Sequence, residues 1–231
     1  MPELIDLSQE IFHRCTTHPS HPKAMYYPYI THAESLEQRG GKSSSTVDML
    51  NMPDHTATHV DAPRHFGIEW DEQGIDSLPL ERFYTEGICL DLSHLAPKAL
   101  YGVDEVEKAL EKDSLEIRPN DTVLLYLAHF ERFWGKPEFL TDWPGMAEEV
   151  AVYFGERKIS AFGVEAVSPG IIDVSNTEVH QICGRMGITH YEGLVNLDRL
   201  VGRGRFRFIA FPLKFRRGSA SPVRAVAIFE D

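Results

Sequence analysis

Short apolar runs and one amphipathic repeat organise the middle of the chain. Residues 87–93, 121–128 and 159–167 are short and mostly apolar, which predicts three buried strands. Residues 103–112 carry apolar side chains three and four positions apart with charge between them, which predicts a helix. Residues 144–156 predict a second helix, with a proline early and a glycine near the end.

The last third of the chain predicts one more helix and two strands. Ser175 or Asn176 can cap a short helix that ends before Gly187. Residues 206–215 and 222–229 predict two strands joined by a turn. Strands that alternate with helices, followed by strands alone, predict an α/β fold with a mixed β-sheet.

The segment 16–45 has no clear periodicity and is rich in Pro, His, Tyr and small polar residues. It therefore predicts a long loop or arm, and loops of that length are often functional. We see no internal repeat and no low-complexity linker. Because 231 residues suit one sizeable core, we expect a single domain over residues 1–231.

Composition and charge narrow the range of partners. A hydrophobic share of 42% and a charged share of 25% are typical of a soluble globular protein. The net charge of -12 disfavours nucleic acid and anionic membrane surfaces as partners. The basic residues from Arg203 to Arg217 alternate with phenylalanines, which is more typical of the solvated face of a strand than of a binding patch.

Cysteine use and the N-terminal sequence bear on location. Cys15, Cys89 and Cys183 are odd in number and scattered, so they do not form a disulfide framework and indicate a reducing compartment. No stretch approaches the length of an apolar membrane span, and the first residues do not resemble a signal peptide. We expect a cytoplasmic protein.

One segment concentrates the groups that carry chemistry. His55-Thr-Ala-Thr-His59-Val-Asp61-Ala-Pro63-Arg-His65 contains three imidazoles and one carboxylate, all at odd positions. In an extended chain this parity directs them to one face. Pro63 prevents a regular helix through the end of the run. Imidazole and carboxylate are the usual ligands of zinc or manganese, so the segment predicts a divalent metal site.

Further ligands must come from elsewhere if the site is hydrolytic, since such sites often hold a second metal. The best candidates are His180 and Glu192, although a capped helix and a charged loop would explain those two residues equally well. Isolated histidines are more often structural than ligating, and we interpret His94, His129 and His190 in that way.

The chain resembles the cyclase-like metal hydrolases, a family that includes bacterial kynurenine formamidase and isatin hydrolase. The resemblance rests on Ile5-Asp-Leu-Ser8, His55-x-x-Thr58-His59-x-Asp61-Ala62-Pro63-x-His65-Phe66, Leu78-Pro-Leu80, Leu90-Asp-Leu-Ser93, His180 and Glu192-x-Leu194-x-Asn196-Leu197. It implies a swivelling β/β/α domain that assembles as a homo-oligomer, a dimer or tetramer, and binds one manganese or two zinc ions per subunit.

The resemblance also implies a role for each site residue. His55, His59 and Asp61 would bind the first metal, and His180 the second. Asp61 and Glu192 could bridge the two metals. His65 would be the general acid/base, and it could also touch the second metal.

The implied activity is arylformamidase-like hydrolysis of an amide, formamide, lactam or ester bond in a small molecule by metal-activated water. Two other functions stay open. The same metal could polarise a carbonyl in a cyclase or dehydratase, because fold and ligands alone do not fix the reaction. Alternatively, the site could bind metal without catalysis.

The sequence departs from the family pattern at several positions. Ala57 stands where family members usually have Gly, Glu165 replaces an Asp, and Pro169-Gly170 interrupts a second Asp-containing motif. The N-terminal loop lacks a Trp-Pro-Gly-like sequence, so substrate contacts in that loop would have to come from different residues.

Aromatic and histidine side chains in the 16–45 segment allow two interpretations. They could line a substrate pocket, or they could take part in ordinary loop packing within the chain or across a subunit boundary, and we favour packing. The side chains concerned are His18, His21, Tyr26, Tyr27, Tyr29 and His32.

Overall fold

The computed structural model describes residues 1–230, which contain thirteen strands and six α-helices. The strands are β1 (Glu3–Asp6), β2 (Met25–Ile30), β3 (Val47–Asn51), β4 (His59–Asp61), β5 (Tyr84–Asp91), β6 (Leu100–Tyr101), β7 (Thr122–Tyr126), β8 (Gly145–Met146), β9 (Ala161–Val164), β10 (Thr189–Glu192), β11 (Phe206–Ile209), β12 (Ala220–Pro222) and β13 (Val226–Phe229). The helices are α1 (His32–Gln38), α2 (Pro63–Phe66), α3 (Val103–Lys112), α4 (His129–Phe133), α5 (Glu148–Glu156) and α6 (Asn176–Met186).

Nine strands form one mixed sheet in the order β1-β13-β11-β5-β7-β9-β10-β4-β12. The four central strands β5, β7, β9 and β10 run parallel. Antiparallel strands flank them on both sides. Two small sheets, β2 with β3 and β6 with β8, stand apart from the large one. The prediction of an α/β fold with a mixed sheet is confirmed.

Alternation along the central strands builds two apolar cores. In β7, Val123 and Leu125 face the core formed with α3, α5 and α6, whereas Leu124 faces the opposite core. The opposite core contains side chains of β1, β11 and β13, including Ile5, Phe208 and Ala227, all fully buried. Period-two side-chain placement in a strand explains this division.

Several predicted elements are present in the structure. The helix predicted over residues 103–112 is α3, and it buries Val106, Ala109 and Leu110. The three central apolar runs form β5, β7 and β9. The capped helix is α6, with Ser175 at its N-cap and Gly187 at its C-cap. The Ser175 hydroxyl donates to the Met146 carbonyl and does not cap the helix.

The helix predicted from residue 144 begins at residue 148 instead. Gly145–Met146 form β8, which pairs with β6. The Gly145 N–H donates to the Ala99 carbonyl and the Ala147 N–H donates to the Tyr101 carbonyl. These backbone groups are therefore used in sheet pairing before the helix starts.

The prediction of two terminal strands joined by a turn is wrong in its details. β11 ends at Ile209, and Pro212, which has no N–H to donate, follows soon after. Residues 220–222 form β12, which pairs with β4 at the opposite edge of the sheet. Only Val226–Phe229 returns as β13 to pair with β11.

The segment 16–45 contains regular structure that the sequence interpretation missed. β2 pairs with β3 in an antiparallel hairpin, and α1 lies between them. Helix α1 begins with a capping box in which Thr31 and Glu34 satisfy each other's backbone N–H groups. We call residues 25–51 the hairpin arm.

Two expectations from composition also meet the structure. Cys15, Cys89 and Cys183 are all buried and free. In β11, Phe208 is buried while Arg207 pairs with Glu86 at 2.7 Å, as expected for the solvated side of a strand. No helix within residues 1–230 combines the length and the apolar character needed to cross a membrane.

Candidate metal centre

The centre is built on the pairing of β4 with β10. His59 and Asp61 lie two residues apart on β4 and so share a face. The antiparallel register places Glu192 of β10 directly opposite His59. His190 lies two residues before Glu192 and shares its face.

The turns before and after β4 bring in two more histidines. His55 precedes the strand, and His65 lies on the single turn of α2 that follows it. Pro63 occupies the first position of α2, while Ala62 keeps an extended conformation, as expected for a residue before proline. The parity argument therefore holds for His59 and Asp61, whereas the turn before β4 brings in His55 and the one-turn helix returns His65 to the same cluster.

On one side, carboxylate oxygens face His55 and His59. Asp61 Oδ1 lies 3.0 Å from His55 Nδ1 and 3.4 Å from His59 Nε2. Glu192 Oε2 lies 3.4 Å from His59 Nε2.

The other oxygens of the same two carboxylates face a second group of histidines. Asp61 Oδ2 lies 3.3 Å from His190 Nε2, 3.7 Å from His65 Nε2 and 3.9 Å from His180 Nε2. Glu192 Oε1 lies 3.3 Å from His190 Nε2. The two carboxylates thus divide their oxygens between two sets of imidazoles.

In three of the histidine rings, a hydrogen bond to the nitrogen that points away from the carboxylates leaves the other nitrogen free for a ligand. Two of these rings are bound through Nδ1. His59 Nδ1 donates to the Ala57 carbonyl at 2.9 Å, and His180 Nδ1 donates to the Asn176 carbonyl at 2.8 Å. Both bonds favour the tautomer with a lone pair on Nε2.

His55 is oriented the other way round. Its Nε2 lies 3.2 Å from the Ser219 hydroxyl, which itself donates to Asp54 at 2.7 Å. This chain leaves His55 Nδ1, the nitrogen that faces Asp61, as the atom available to a ligand.

The donor set fits a divalent cation. His59 Nε2, both Asp61 oxygens and His190 Nε2 are buried, and among residues 1–230 they have no hydrogen-bond partner of acceptable geometry. Buried polar atoms without a partner are costly, and a cation between them would remove that cost. Imidazole and carboxylate ligands suit zinc and manganese.

The protonation states of the clustered side chains also suit a divalent cation. Burial opposes the charge of Glu192, yet the neighbouring His190 and His59 lower the pKa of this carboxyl to about 2. The pKa of Asp61 is also held below its usual range, against burial, by His55 and His65. Burial, with His190 nearby, lowers the pKa of His180 to about 4. Two carboxylates are thus ionised and His180 is neutral at neutral pH.

A cavity of about 200 Å³ opens onto the cluster. His65 lines it, and its side chain is 34% exposed, the most exposed of the clustered histidines. Burial lowers the pKa of His65 below that of free imidazole, and the charge of Asp61 opposes this effect in part. The ring is therefore neutral at neutral pH and can accept a proton.

The cavity wall includes part of the 16–45 segment. His18 and His21 line it, and the ring centroid of His21 lies 5.5 Å from that of His55. Tyr27 and Tyr29 lie instead on the exposed hairpin arm. The pocket interpretation therefore suits the two histidines and not the tyrosines.

All six residues predicted for the site lie in this cluster or on its cavity. His190, which we interpreted as structural, belongs to the cluster as well. The sequence carried a signal for it, because His190 and Glu192 share parity in the same way as His59 and Asp61.

A protein-family model and several known proteins are similar to this chain. Residues 5–170 match the model of the Cyclase family. The chain belongs to the Cyclase family. Kynurenine formamidase of Salinibacter ruber is 30% identical over 80% of this chain and 81% of its own length. Kynurenine formamidase of Bacillus cereus is 28% identical over 97% of this chain and 96% of its own length.

A solved structure shares the fold of the whole chain. The crystal structure of an isatin hydrolase bound to the product analogue thioisatinate superposes with a TM-score of 0.85. It is 23% identical and covers 100% of this chain and 93% of its own. The likeness confirms the swivelling β/β/α fold predicted from the sequence resemblance.

Proposed function

We propose that the chain is a metal-dependent hydrolase of the arylformamidase type, which cleaves a C–N bond in a small amide, formamide or lactam, or an ester bond. The observation that carries this proposal is the division of the Asp61 and Glu192 oxygens between two sets of imidazoles beside an open cavity. Relatives named kynurenine formamidase, and a structural neighbour named isatin hydrolase, support the reaction class. The chain is an enzyme of this family.

We propose zinc or manganese as the cofactor, one or two ions per subunit. His55, His59 and Asp61 would hold the first ion, and His180 the second. Asp61 and Glu192 would bridge the two positions. Their divided oxygens and the free nitrogens of the three rings support this assignment.

His65 is the proposed general acid/base. A bound metal would supply an acidified water and a polarised substrate carbonyl. His65 accepts a proton from the attacking water and returns it to the departing nitrogen or oxygen. Its partial exposure to the cavity and its lowered pKa support this role, since the ring is neutral before the reaction.

The test combines metal analysis with kinetics. Wild-type protein should contain one or two equivalents of zinc or manganese, and His59→Ala should lose them. The loaded wild-type enzyme should hydrolyse at least one member of a panel of N-formyl, lactam and ester substrates. A protein that holds no stoichiometric metal after reconstitution would refute the proposal.

His65→Gln separates the enzyme from a metal-binding protein without catalysis. Loss of the acid/base should lower kcat by about 10²–10⁴-fold while metal content stays at the wild-type value. A variant with undiminished kcat would remove His65 from the mechanism. Product analysis by mass spectrometry distinguishes hydrolysis, which adds water, from a dehydratase reaction, which removes it.

We also propose a homo-oligomer, dimer or tetramer, in the cytoplasm. The hairpin arm supports the first part, because it exposes Tyr27, Tyr29, Val47 and Met49, each more than 40% accessible. Apolar surface of this kind is typical of interfaces. The three buried free cysteines are compatible with a reducing compartment. Light scattering after gel filtration measures the mass of the assembly.

A further inference from the structure

His190 holds a position for which the resemblance offers no role. It is fully buried on β10, and its Nε2 lies 3.3 Å from Asp61 Oδ2 and 3.3 Å from Glu192 Oε1. It is thus nearer to Asp61 Oδ2 than either His65 or His180 is.

The ring of His190 is held in one orientation by aromatic packing. Phe66 and Phe162 each stack on it with centroids 5.2 Å away and planes 16° from parallel. His180 meets it edge-on, with a centroid distance of 4.8 Å. This packing fixes the Nε2 edge toward the carboxylates.

The two distances of 3.3 Å from His190 Nε2 to the carboxylate oxygens match those between ligands of one metal. Ligand bonds of about 2.1 Å in a tetrahedral zinc site place neighbouring donor atoms roughly 3.4 Å apart. Donor atoms of Asp61, His180, His190 and Glu192 all lie within 4.8 Å of one another. Within the described part of the chain, His190 Nε2 makes no hydrogen bond of acceptable geometry although it is buried.

We propose that His190 is a fourth protein ligand of the second metal position, together with Asp61, His180 and Glu192. Four protein ligands complete a tetrahedral zinc site. His190 would therefore complete the ligand set of the second position and help that position retain its ion. This inference rests on the proposed function, because it presumes metal between the same carboxylates.

Zinc content measured on His190→Gln tests the proposal. After dialysis against a weak chelator, wild-type protein should keep two zinc ions per subunit and His190→Gln only one. His129→Gln is the matched control, because His129 is also buried but donates to the Phe139 carbonyl, away from the carboxylates. It should keep two ions. Two ions retained by His190→Gln with wild-type affinity would overturn the proposal.

A crystal structure of the zinc-loaded wild-type protein, with data at the zinc absorption edge, decides the matter if His190→Gln fails to fold. The expected result is a zinc ion about 2.1 Å from His190 Nε2. A loaded crystal in which every zinc ion lies beyond 3 Å of this atom overturns the inference and leaves the proposed function intact. Wild-type protein that binds no metal overturns both.

Discussion

At the scale of single residues, the backbone conformation at position 57 bears on one departure from the family pattern, the alanine that stands where glycine is usual. Its φ of 55° lies in the left-handed region, which glycine adopts without penalty and alanine does not. Its carbonyl accepts the hydrogen bond that orients His59. The chain therefore holds this residue in a conformation that favours glycine and tolerates the strain of a methyl group.

Ala57→Gly should raise the free energy of unfolding by about 0.5–1 kcal/mol, because relief of the left-handed strain outweighs the greater freedom of glycine in the unfolded chain. Ala62→Gly is the matched control, since Ala62 is buried in the same segment with a φ of -96°. That change should lower stability by about 1 kcal/mol. Urea titrations monitored by circular dichroism measure both, and equal effects would contradict the argument.

Glu165 is a second departure, and its surroundings make it titrate unusually. Burial, with the charge of Glu131 nearby, raises the pKa of Glu165 to about 8. Backbone N–H groups of Leu127, His129 and Phe130 donate to its carboxyl group. These bonds tie the end of β9 to the start of α4, and they favour the ionised form without overcoming burial.

The raised pKa gives stability a definite dependence on pH. Native Glu165 keeps its proton up to about pH 8, whereas the unfolded chain loses it near 4.5, so unfolding releases a proton between these values. The contribution of protonated Glu165 to the free energy of unfolding is complete below pH 4.5 and is lost as pH rises through 8. Glu165→Gln, which cannot ionise, should gain stability relative to wild type by on the order of 4 kcal/mol between pH 5 and 9. A constant difference across urea titrations in that range would refute this.

Parity and the family motif each led to residues that lie in the cluster or on its cavity. His55, His59, Asp61 and His65 were found from spacing alone, and His180 and Glu192 needed the resemblance. His190 was missed because an isolated histidine is more often structural. Its place beside Asp61 depends on the pairing of β4 with β10, which the parity within each strand does not predict.

At the scale of elements, the contact between the turn after β10 and the turn before β4 holds the two halves of the centre together. Gly193 has a φ of 66°, and a Cβ added there would lie 2.7 Å from the Ala57 carbonyl oxygen. The Gly193 carbonyl accepts from the side chains of Gln9 and Thr58. A side chain at this position must therefore push β10 away from the segment that carries His59.

Gly193→Ala should lower the free energy of unfolding by about 3 kcal/mol and weaken metal binding, since strain and a backbone clash add together. Gly187→Ala provides the control. Gly187 has a φ of 69° at the C-cap of α6, but a Cβ there meets nothing within 4 Å. Gly187→Ala should lower the free energy of unfolding by only about 1 kcal/mol and leave metal affinity unchanged. Equal losses in the two variants would mean that the contact with Ala57 is not limiting.

The sequence predicted an element correctly where its pattern was local. The predictions failed where a segment pairs with a strand that is distant in sequence. Helix α3 followed from its own amphipathic repeat. The start of α5 did not, because Gly145 and Met146 pair with β6. The tail failed for the same reason, since Ala220–Pro222 pairs with β4 and not with the strand before it.

At the scale of the whole molecule, the centre couples metal binding to protons. Burial opposes a charge on His59, but Asp61 and Glu192 raise the pKa of this ring to about 10 in the metal-free protein. A ligating imidazole must be neutral, so metal uptake at neutral pH should release at least one proton and affinity should rise with pH.

Calorimetric titration in buffers of different ionisation enthalpy counts the protons released. The metal should also raise the midpoint of thermal unfolding, since it binds the folded chain preferentially. His94→Gln, a change at an exposed histidine paired with Glu105, should behave as wild type. Proton uptake on metal binding, or an affinity that falls as pH rises, would contradict the assignment of His59.

The order of the strands in the sheet has a consequence for biosynthesis. β4 lies between β10 and β12, both of which are made much later than β4 itself. A ribosome that has released His55, His59, Asp61 and His65 has not yet supplied Glu192 or the strand that covers β4. The nascent chain therefore has no complete site to load until β10 and β12 have been made.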